Sequence, residues 1–225
     1  MQFLEELTSN SSQASVVKRI DGGVARRRGN GVKLYGSRCD QALVVHRRVC
    51  VITGRELLRG EIEQVWHIDR SEVIDNIYHV ENGILALRPE HYDLSGWPPG
   101  EAEKYTPLLL DCFDRGGWFY GVFDHTTLIG IVVLESKSIG QHGDQLQLKF
   151  LHVSSPYRKT GLGKQLFARA KAVARERGAK RLYISATPSE NTVNFYLRLG
   201  CVVAREPDPE LIELEPEDIH LECDV

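Results

Sequence analysis

The stretch Leu148–Gln165, LKFLHVSSPYRKTGLGKQ, decides the fold. It starts as an apolar run that reads as a strand and passes through a short loop. It then opens through Gly161 and Gly163 onto the segment Leu162–Arg177. There Leu162, Leu166, Phe167, Ala170, Val173 and Ala174 fall on one stripe at i, i+4, i+8 spacing, the pattern of a helix buried along one side. Gly178 is its stop signal. Gly161 and Gly163 carry no side chain to block a ligand approaching the backbone. The first turn of a helix presents unpaired N–H groups and a partial positive charge of about half an electron. Strand, glycine loop and helix start together make an anion seat, with Lys159 and Lys164 adding charge beside it.

Two common anion motifs do not fit. A P-loop needs GxxxxGK followed by Ser or Thr. Here Gly163-Lys164 is followed by Gln165, and Arg158 stands at the earlier glycine position. A Rossmann fingerprint needs a third glycine where Leu166 stands. What fits is Arg-x-x-Gly-x-Gly, spelled Arg158-Lys159-Thr160-Gly161-Leu162-Gly163. This resembles the pyrophosphate-binding motif of the GNAT superfamily of N-acetyltransferases. The resemblance extends upstream to Val153 and downstream to Ser189–Cys201, SENTVNFYLRLGC. In that second segment Phe195-Tyr196 followed by Gly200 resembles the family pattern Phe-Tyr-x-x-x-Gly-Phe, with Cys201 replacing the final aromatic. In the order of strands and helices it covers about residues 60–225.

The resemblance implies a mixed α/β (α+β) fold with a central, mostly antiparallel, splayed sheet flanked by helices. Strands Gln145–Val153 and Arg181–Ala186 would part, and the pantetheine arm of acetyl-CoA would lie in the gap against Leu151, His152 and Val153. Arg158, Lys159, Thr160, Gly161, Leu162, Gly163 and Lys164 would hold the pyrophosphate. Ser189 or Asn191 would touch the cofactor, and Ser189 reads equally as the cap of the helix that follows. Tyr196 matches the tyrosine that acts as general acid: aminolysis of a thioester expels a thiolate, and a phenol is neutral and able to donate at pH 7. The alternative for Tyr196 is a core tyrosine. The general base is open. The glutamate that serves in one branch of the family is Gln147 here; Glu135, His142, Asp144, His152 and a water relay all stand as candidates. A backbone N–H near Leu151–Val153 is implied as the oxyanion donor.

The implied activity is transfer of an acetyl group from acetyl-CoA, as co-substrate and without a metal, to a primary amine by direct attack in a ternary complex. The acceptor is a small molecule or a protein. A catalytically silent acyl-CoA-binding sensor is the alternative. The tail Glu206–Val225 holds nine acids and neither Lys nor Arg, so it reads as a negative rim for a cationic amine or as a solvated acidic hairpin. Trp66 and Trp97 lie where the family's acceptor-binding elements sit; Trp97 reads as a pocket wall or as a staple for its loop.

Further from the motif, Trp118–Phe123, Leu128–Glu135 and Gln145–Val153 read as strands whose short connections imply antiparallel neighbours. Arg181–Ala186, Cys201–Arg205 and Ile219–Cys223 complete the expected sheet, and Asn191–Leu199 is a helix. Glu61–Ile68 reads as a strand, and Asp69–Glu72 resembles a capping box for a helix through Tyr78 that Asn82-Gly83 closes. Ile84–Tyr92 follows as a strand, Ser95–Gly100 as a loop and Glu101–Arg115 as a helix despite Pro107.

The whole chain has 225 residues and a net charge of −3; its 42% hydrophobic and 26% charged residues are those of a globular protein. Residues 1–55 read as a basic, poorly ordered extension, and 56–225 as the acyltransferase domain. Residues 1–50 carry +5 and the remainder −8. The basic arm lacks interleaved aromatics, so no nucleic-acid partner is expected. The longest apolar stretch, Leu128–Leu134, is far short of the about 20 residues of a membrane span, so no membrane association is expected. Five cysteines without close spacing read as reduced thiols of a cytoplasmic protein rather than disulfides or a zinc site. A homodimer is left open.

Overall fold

The computed structural model describes residues 52–225. Residues 1–51, with the basic arm, lie outside the described residues. Strand β1 (Ile52–Glu56) leads into a 3-10 helix (Arg59–His67), and β2 (Glu72–Glu81) with β3 (Ile84–Leu94) forms a separate hairpin. Helix α1 (Glu101–Asp114) precedes three long strands: β4 (Trp118–Asp124), β5 (Thr127–Ile139) and β6 (Gln145–Val153). Helix α2 (Leu162–Glu176), β7 (Arg181–Ala186), α3 (Glu190–Arg198), β8 (Val202–Val203), the short α4 (Pro209–Leu214) and β9 (Ile219–Asp224) complete the chain. The main sheet has the order β1-β4-β5-β6-β7-β9-β8, and only the β6–β7 pair is parallel.

Alternation along the strands sends side chains to two cores. Val132, Leu146, Leu148, Leu182 and Ile184 pack on one face against Leu166, Phe167 and Ala170 of α2 and Val193 of α3. Ile131, Val133 and Phe150 pack on the other against Ile62 and Val65 of the 3-10 helix and Leu109 and Cys112 of α1. Among the described residues no helix is long and apolar enough to cross a membrane.

Three readings of the N-terminal part are corrected. Glu61–Ile68 is a 3-10 helix rather than a strand: Ile62 and Val65, three apart, are both buried on one side of it, and the Glu61 carboxylate accepts the Leu58 N–H at 2.9 Å. Asp69–Glu72 caps no helix; Asp69 Oδ1 accepts the Ser71 N–H at 2.9 Å in an Asx turn, and the chain continues as β2. Val73, Ile74, Ile77 and Val80 are β-branched and favour the extended form. Asn82 (φ 53°) and Gly83 (φ 78°) are then the two left-handed residues of a tight hairpin turn, and Glu81 pairs with Ile84 across it. The acidic tail is not a simple hairpin either. Asp208 caps α4 by accepting the N–H groups of Glu210 and Leu211, so a helix turn separates β8 from β9. The edge strand β1 crosses the position 55/56, where the sequence reading divided the chain.

Candidate active site

The sheet is interrupted between its two parallel strands. Strands β6 and β7 pair only at Gln145↔Arg181, Leu146↔Leu182 and Gln147↔Tyr183. Beyond that point β6 stays with β5 as far as Gly130↔Val153, and β7 stays with β9 as far as Ala186↔Ile219. A local cause is visible: Val133 pairs with Phe150 and Leu134 with Leu148, so Lys149 is an extra residue on β6. Such a bulge bends its strand. The result is a V-shaped gap between residues 148–153 and 184–186.

The polar groups of the gap follow from the register. Ser154 donates its N–H to Ile129 O at 2.8 Å, so by two-residue alternation His152 also turns its main chain to β5. Leu151 therefore directs its N–H and C=O, and Val153 its N–H, into the gap, while the Val153 C=O accepts from Arg158. Strand edges inside a sheet that bond to no neighbour invite an extended ligand.

The anion seat lies at the same strand end. Lys159 (φ 62°) and Gly161 (φ 90°) are left-handed, and the start of α2 has no side-chain cap. The first main-chain bond of the helix is Gln165 N–H to Gly161 O at 3.1 Å, which leaves Leu162, Gly163 and Lys164 ahead of it. A Cβ on Gly161 would meet no atom within 4 Å, so space is open above the loop. Gly163 has a different role: a Cβ there would stand 3.4 Å from the Phe195 ring, so its hydrogen lets α2 and α3 approach. The uncapped amides, the left-handed loop and the open space fit a diphosphate. Lys159 and Lys164 are exposed beside it, and Thr160 Oγ1 is spent on Tyr157 O at 2.7 Å.

Arg158 does not reach into the seat. Its guanidinium donates to Val153 O at 2.9 Å, Ser71 O at 2.8 Å and Asp69 O at 3.4 Å, tying β6 to the turn before β2. Ser189 is the cap of α3, accepting Thr192 N–H at 3.3 Å, and is buried. Asn191 is exposed and donates to Glu72 Oε1 at 2.9 Å.

Tyr196 sits on α3 in edge contact with Phe167 (5.8 Å between ring centres) and Phe195 (5.0 Å). Its hydroxyl has no hydrogen-bond partner among the described residues. Burial, then the neighbouring Cys201 and Asp218, push its pKa well above the ordinary phenol value, so it stays protonated.

On the face of β6 opposite α2 an aromatic wall forms. Trp97 stands 4.9 Å from Trp66 and 4.8 Å from His152, and its indole N–H is given to Ile68 O at 2.9 Å. Trp66 donates to Thr106 Oγ1 at 2.8 Å. Arg70, buried, lies 4.9 Å over Trp97 and makes a forked pair with Glu101 at 2.9 and 3.0 Å. Burial is the largest influence raising the pKa of Glu101, Glu215 and Asp218; the Glu215 charge adds to the rise at Glu101 and at Asp218, and the Glu101 charge adds at Asp218. Trp66, Trp97 and the acidic tail were read separately as acceptor-side features; the assembly that joins them through Arg70 and Glu101 was not legible, because its members come from four separate segments with no common spacing.

The base candidates separate by position. His142 and Asp144 lie before β6, at the end away from the gap, and Asp144 is paired with Arg181 at 3.4 Å. Glu135 is bound by Arg115 at 3.0 Å and Lys149 at 3.7 Å. Burial pushes it up, but Arg115, the Ser136 N–H and Lys149 together hold it at about 2. His152 is held neutral, well below the usual imidazole range, by burial and then by Arg70 and Arg158.

Comparison with known proteins agrees with this geometry. The family model described as Acetyltransferase (GNAT) family matches residues 84–201. Among solved structures, a nourseothricin acetyltransferase superposes with a TM-score of 0.57 at 19% identity, covering 77% of this chain and 98% of that one. The PaiA N-acetyltransferase of Thermoplasma acidophilum, in complex with coenzyme A, gives 0.51 at 19% identity over 77% and 99%. A GNAT-family acetyltransferase of Staphylococcus aureus Mu50 gives 0.52 at 15% over 77% and 98%. With the family match spanning more than half of the sequence, and the splayed sheet beside it, the chain belongs to the GNAT acetyltransferase family and is an acyl-CoA-dependent N-acyltransferase.

Proposed function

We propose that the protein transfers the acetyl group of acetyl-CoA to a primary amine by direct attack in a ternary complex. The observation that carries this reading is the coincidence, at one strand end, of a mid-sheet gap and an uncapped helix start. The main-chain amides of Lys159–Lys164 hold the pyrophosphate. Leu151 and Val153 bond the pantetheine amides as a neighbouring strand would, and a main-chain N–H at this point steadies the developing oxyanion. Acetyl-CoA supplies the activated acyl group. Tyr196 gives its proton to the departing sulfur, and the closed aromatic wall keeps water from competing.

The acceptor is a cationic amine, as a small molecule or on a protein. Glu101, Glu215 and Asp218 gather near the gap, and the tail carries no positive residue. Such a field attracts cations. Cys112, Cys201 and Cys223 are buried free thiols, which suits the cytoplasm as the place of action.

A screen of primary amines with labelled acetyl-CoA, read by free thiol release, tests the reading. Turnover of at least one amine above the background hydrolysis is expected. A second reading, a silent acyl-CoA sensor, is favoured by Gln147, which is 8% exposed and makes no side-chain hydrogen bond among the described residues. Tight CoA binding without thiol release for any amine would select it.

A further inference from the structure

We propose that Asp218 accepts the proton lost by the acceptor amine, forming an acid–base pair with Tyr196 across the gap. The assignment rests on the amine-acetylating reading above. Asp218 immediately precedes β9, beside the last β7–β9 pair, Ala186↔Ile219, at the open end of the gap. Ser185 Oγ donates to its Oδ2 at 2.9 Å and fixes the carboxylate. Its Oδ1 has no hydrogen-bond partner among the described residues. The side chain lines a cavity of about 220 Å³ together with Tyr78, His79 and Pro188. That is room enough for a small amine.

Position decides between Asp218 and the other candidates. It adjoins the Ala186↔Ile219 pair at the open end of the gap, whereas His142 and Asp144 precede β6 at the other end and Glu135 is paired with Arg115 and Lys149. In the reaction the amine nitrogen forms a bond to the acyl carbon, the carbon–sulfur bond breaks, and the sulfur takes the Tyr196 proton. A cationic amine first gives one proton to solvent and becomes the neutral nucleophile; the nitrogen then sheds a second proton, the one Asp218 accepts, to leave a neutral amide. Nitrogen and sulfur are held by the same carbon while this happens, so the base has to stand near the acid. Asp218 is the carboxylate whose charge reaches Tyr196. His152 lies on the aromatic wall, where burial and then the charges of Arg70 and Arg158 oppose its protonation. The proton on Asp218 and the one given up by Tyr196 return to balance through solvent after product leaves.

The charged groups around Asp218 tune it for this work. Burial raises its pKa most, the Ser185 hydrogen bond lowers it, Glu215 raises it, Arg70 lowers it and Glu101 raises it, leaving it at about 7. Tyr196 on α3 stays protonated and neutral, and His79, which lines the same cavity from β2, is paired with Glu90 at 3.0 Å. A base is most effective when its proton affinity matches the working pH. Because the pKa is raised, the accepting form is present above about pH 7 and is lost as pH falls below it.

The test uses the full chain and its Asp218→Asn, Asp218→Glu and Tyr196→Phe variants. The carboxyl carbon of Asp218 is followed by NMR titration without ligand, assigned by its loss in Asp218→Asn, and CoA affinity is measured by calorimetry. Thiol release from acetyl-CoA is then followed between pH 5.5 and 9 with the amine panel and with hydroxylamine as a small surrogate acceptor. We expect a titration midpoint near 7 and CoA affinity within about twofold of wild type in Asp218→Asn. Its turnover falls roughly 10²–10⁴-fold and its acidic limb disappears. Asp218→Glu recovers part of the rate. An active wild type beside an unimpaired Asp218→Asn, or a midpoint in the ordinary carboxylate range, overturns this assignment alone. A wild type silent with every acceptor overturns the transfer reading and this assignment with it.

Discussion

Replacing Gly161 with Glu and, separately, with Gln isolates the charge of the anion seat. Both variants force an L side chain into a φ of 90°, a strain of about 1–2 kcal/mol. Neither new Cβ meets an atom within 4 Å, so no steric difference separates them. Both should melt roughly 2–8 °C lower than wild type. The two then differ by one negative charge placed beside a diphosphate. At 4–6 Å a unit pair is worth about 1 kcal/mol in bulk water and ~4 kcal/mol near a protein surface. Gly161 is exposed, so roughly 1–2 kcal/mol for each of two phosphate charges is appropriate. The Glu variant should therefore bind CoA about 30–900-fold more weakly than the Gln variant. Isothermal calorimetry at low salt reads the ratio, and the same titration at about 0.5 M salt should shrink it as the Debye length contracts. Equal affinity of the two variants at low salt would refute the placement of the pyrophosphate.

Tyr196→Phe should cut turnover by about tenfold or more while leaving CoA affinity unchanged, since only the proton donor is removed; an unaltered rate returns Tyr196 to a packing role. Leu166 is 1% exposed on the buried stripe of α2, so Leu166→Ala should cost about 3–5 kcal/mol in urea unfolding with an unchanged slope. Glu135 has its folded pKa lowered to about 2, so its contribution is present above about 4.5 and is lost as pH falls toward 2. Unfolding midpoints at pH 7 and pH 3 should therefore converge between wild type and Glu135→Gln; a gap that stays constant with pH would show that the Arg115 pair stabilises nothing.

The portion of the fold after Glu101 was legible because its signals are strong and local. Gln145–Val153 and Arg181–Ala186 were read to the residue, and α2 was read one residue long at its end, since apolar periodicity and glycine stops agree there. The region 61–83 was misread because Val73, Ile74, Ile77 and Tyr78 satisfy a helical spacing as well as a strand. Asn82-Gly83 ends helices and turns hairpins alike, and only pairing with β3 decides. At the site, the glycine loop and the parting of β6 from β7 could be anticipated from the motif. The clamp made by Arg158 could not, because its acceptors are carbonyls of the distant residues Asp69 and Ser71. Asp218 was hidden for a similar reason: in the sequence it is one of nine acids in a row of twenty residues, and only the fold sets it apart from the rest.

The unmatched Lys149 has a consequence for how such a chamber is kept or lost. Excising that one residue would restore one-to-one registry with β5. Leu148 already faces α2 and Phe150 the opposite core, so ordinary alternation would leave Phe150 and His152 on the aromatic wall and Leu151 and Val153 toward α2; the faces would stay and the bend would go. With no kink to part them, β6 and β7 would zip shut and no slot would remain for a ligand. What this strand must preserve is its residue count, and a length change invisible to composition would erase the reaction space more completely than any point substitution within it.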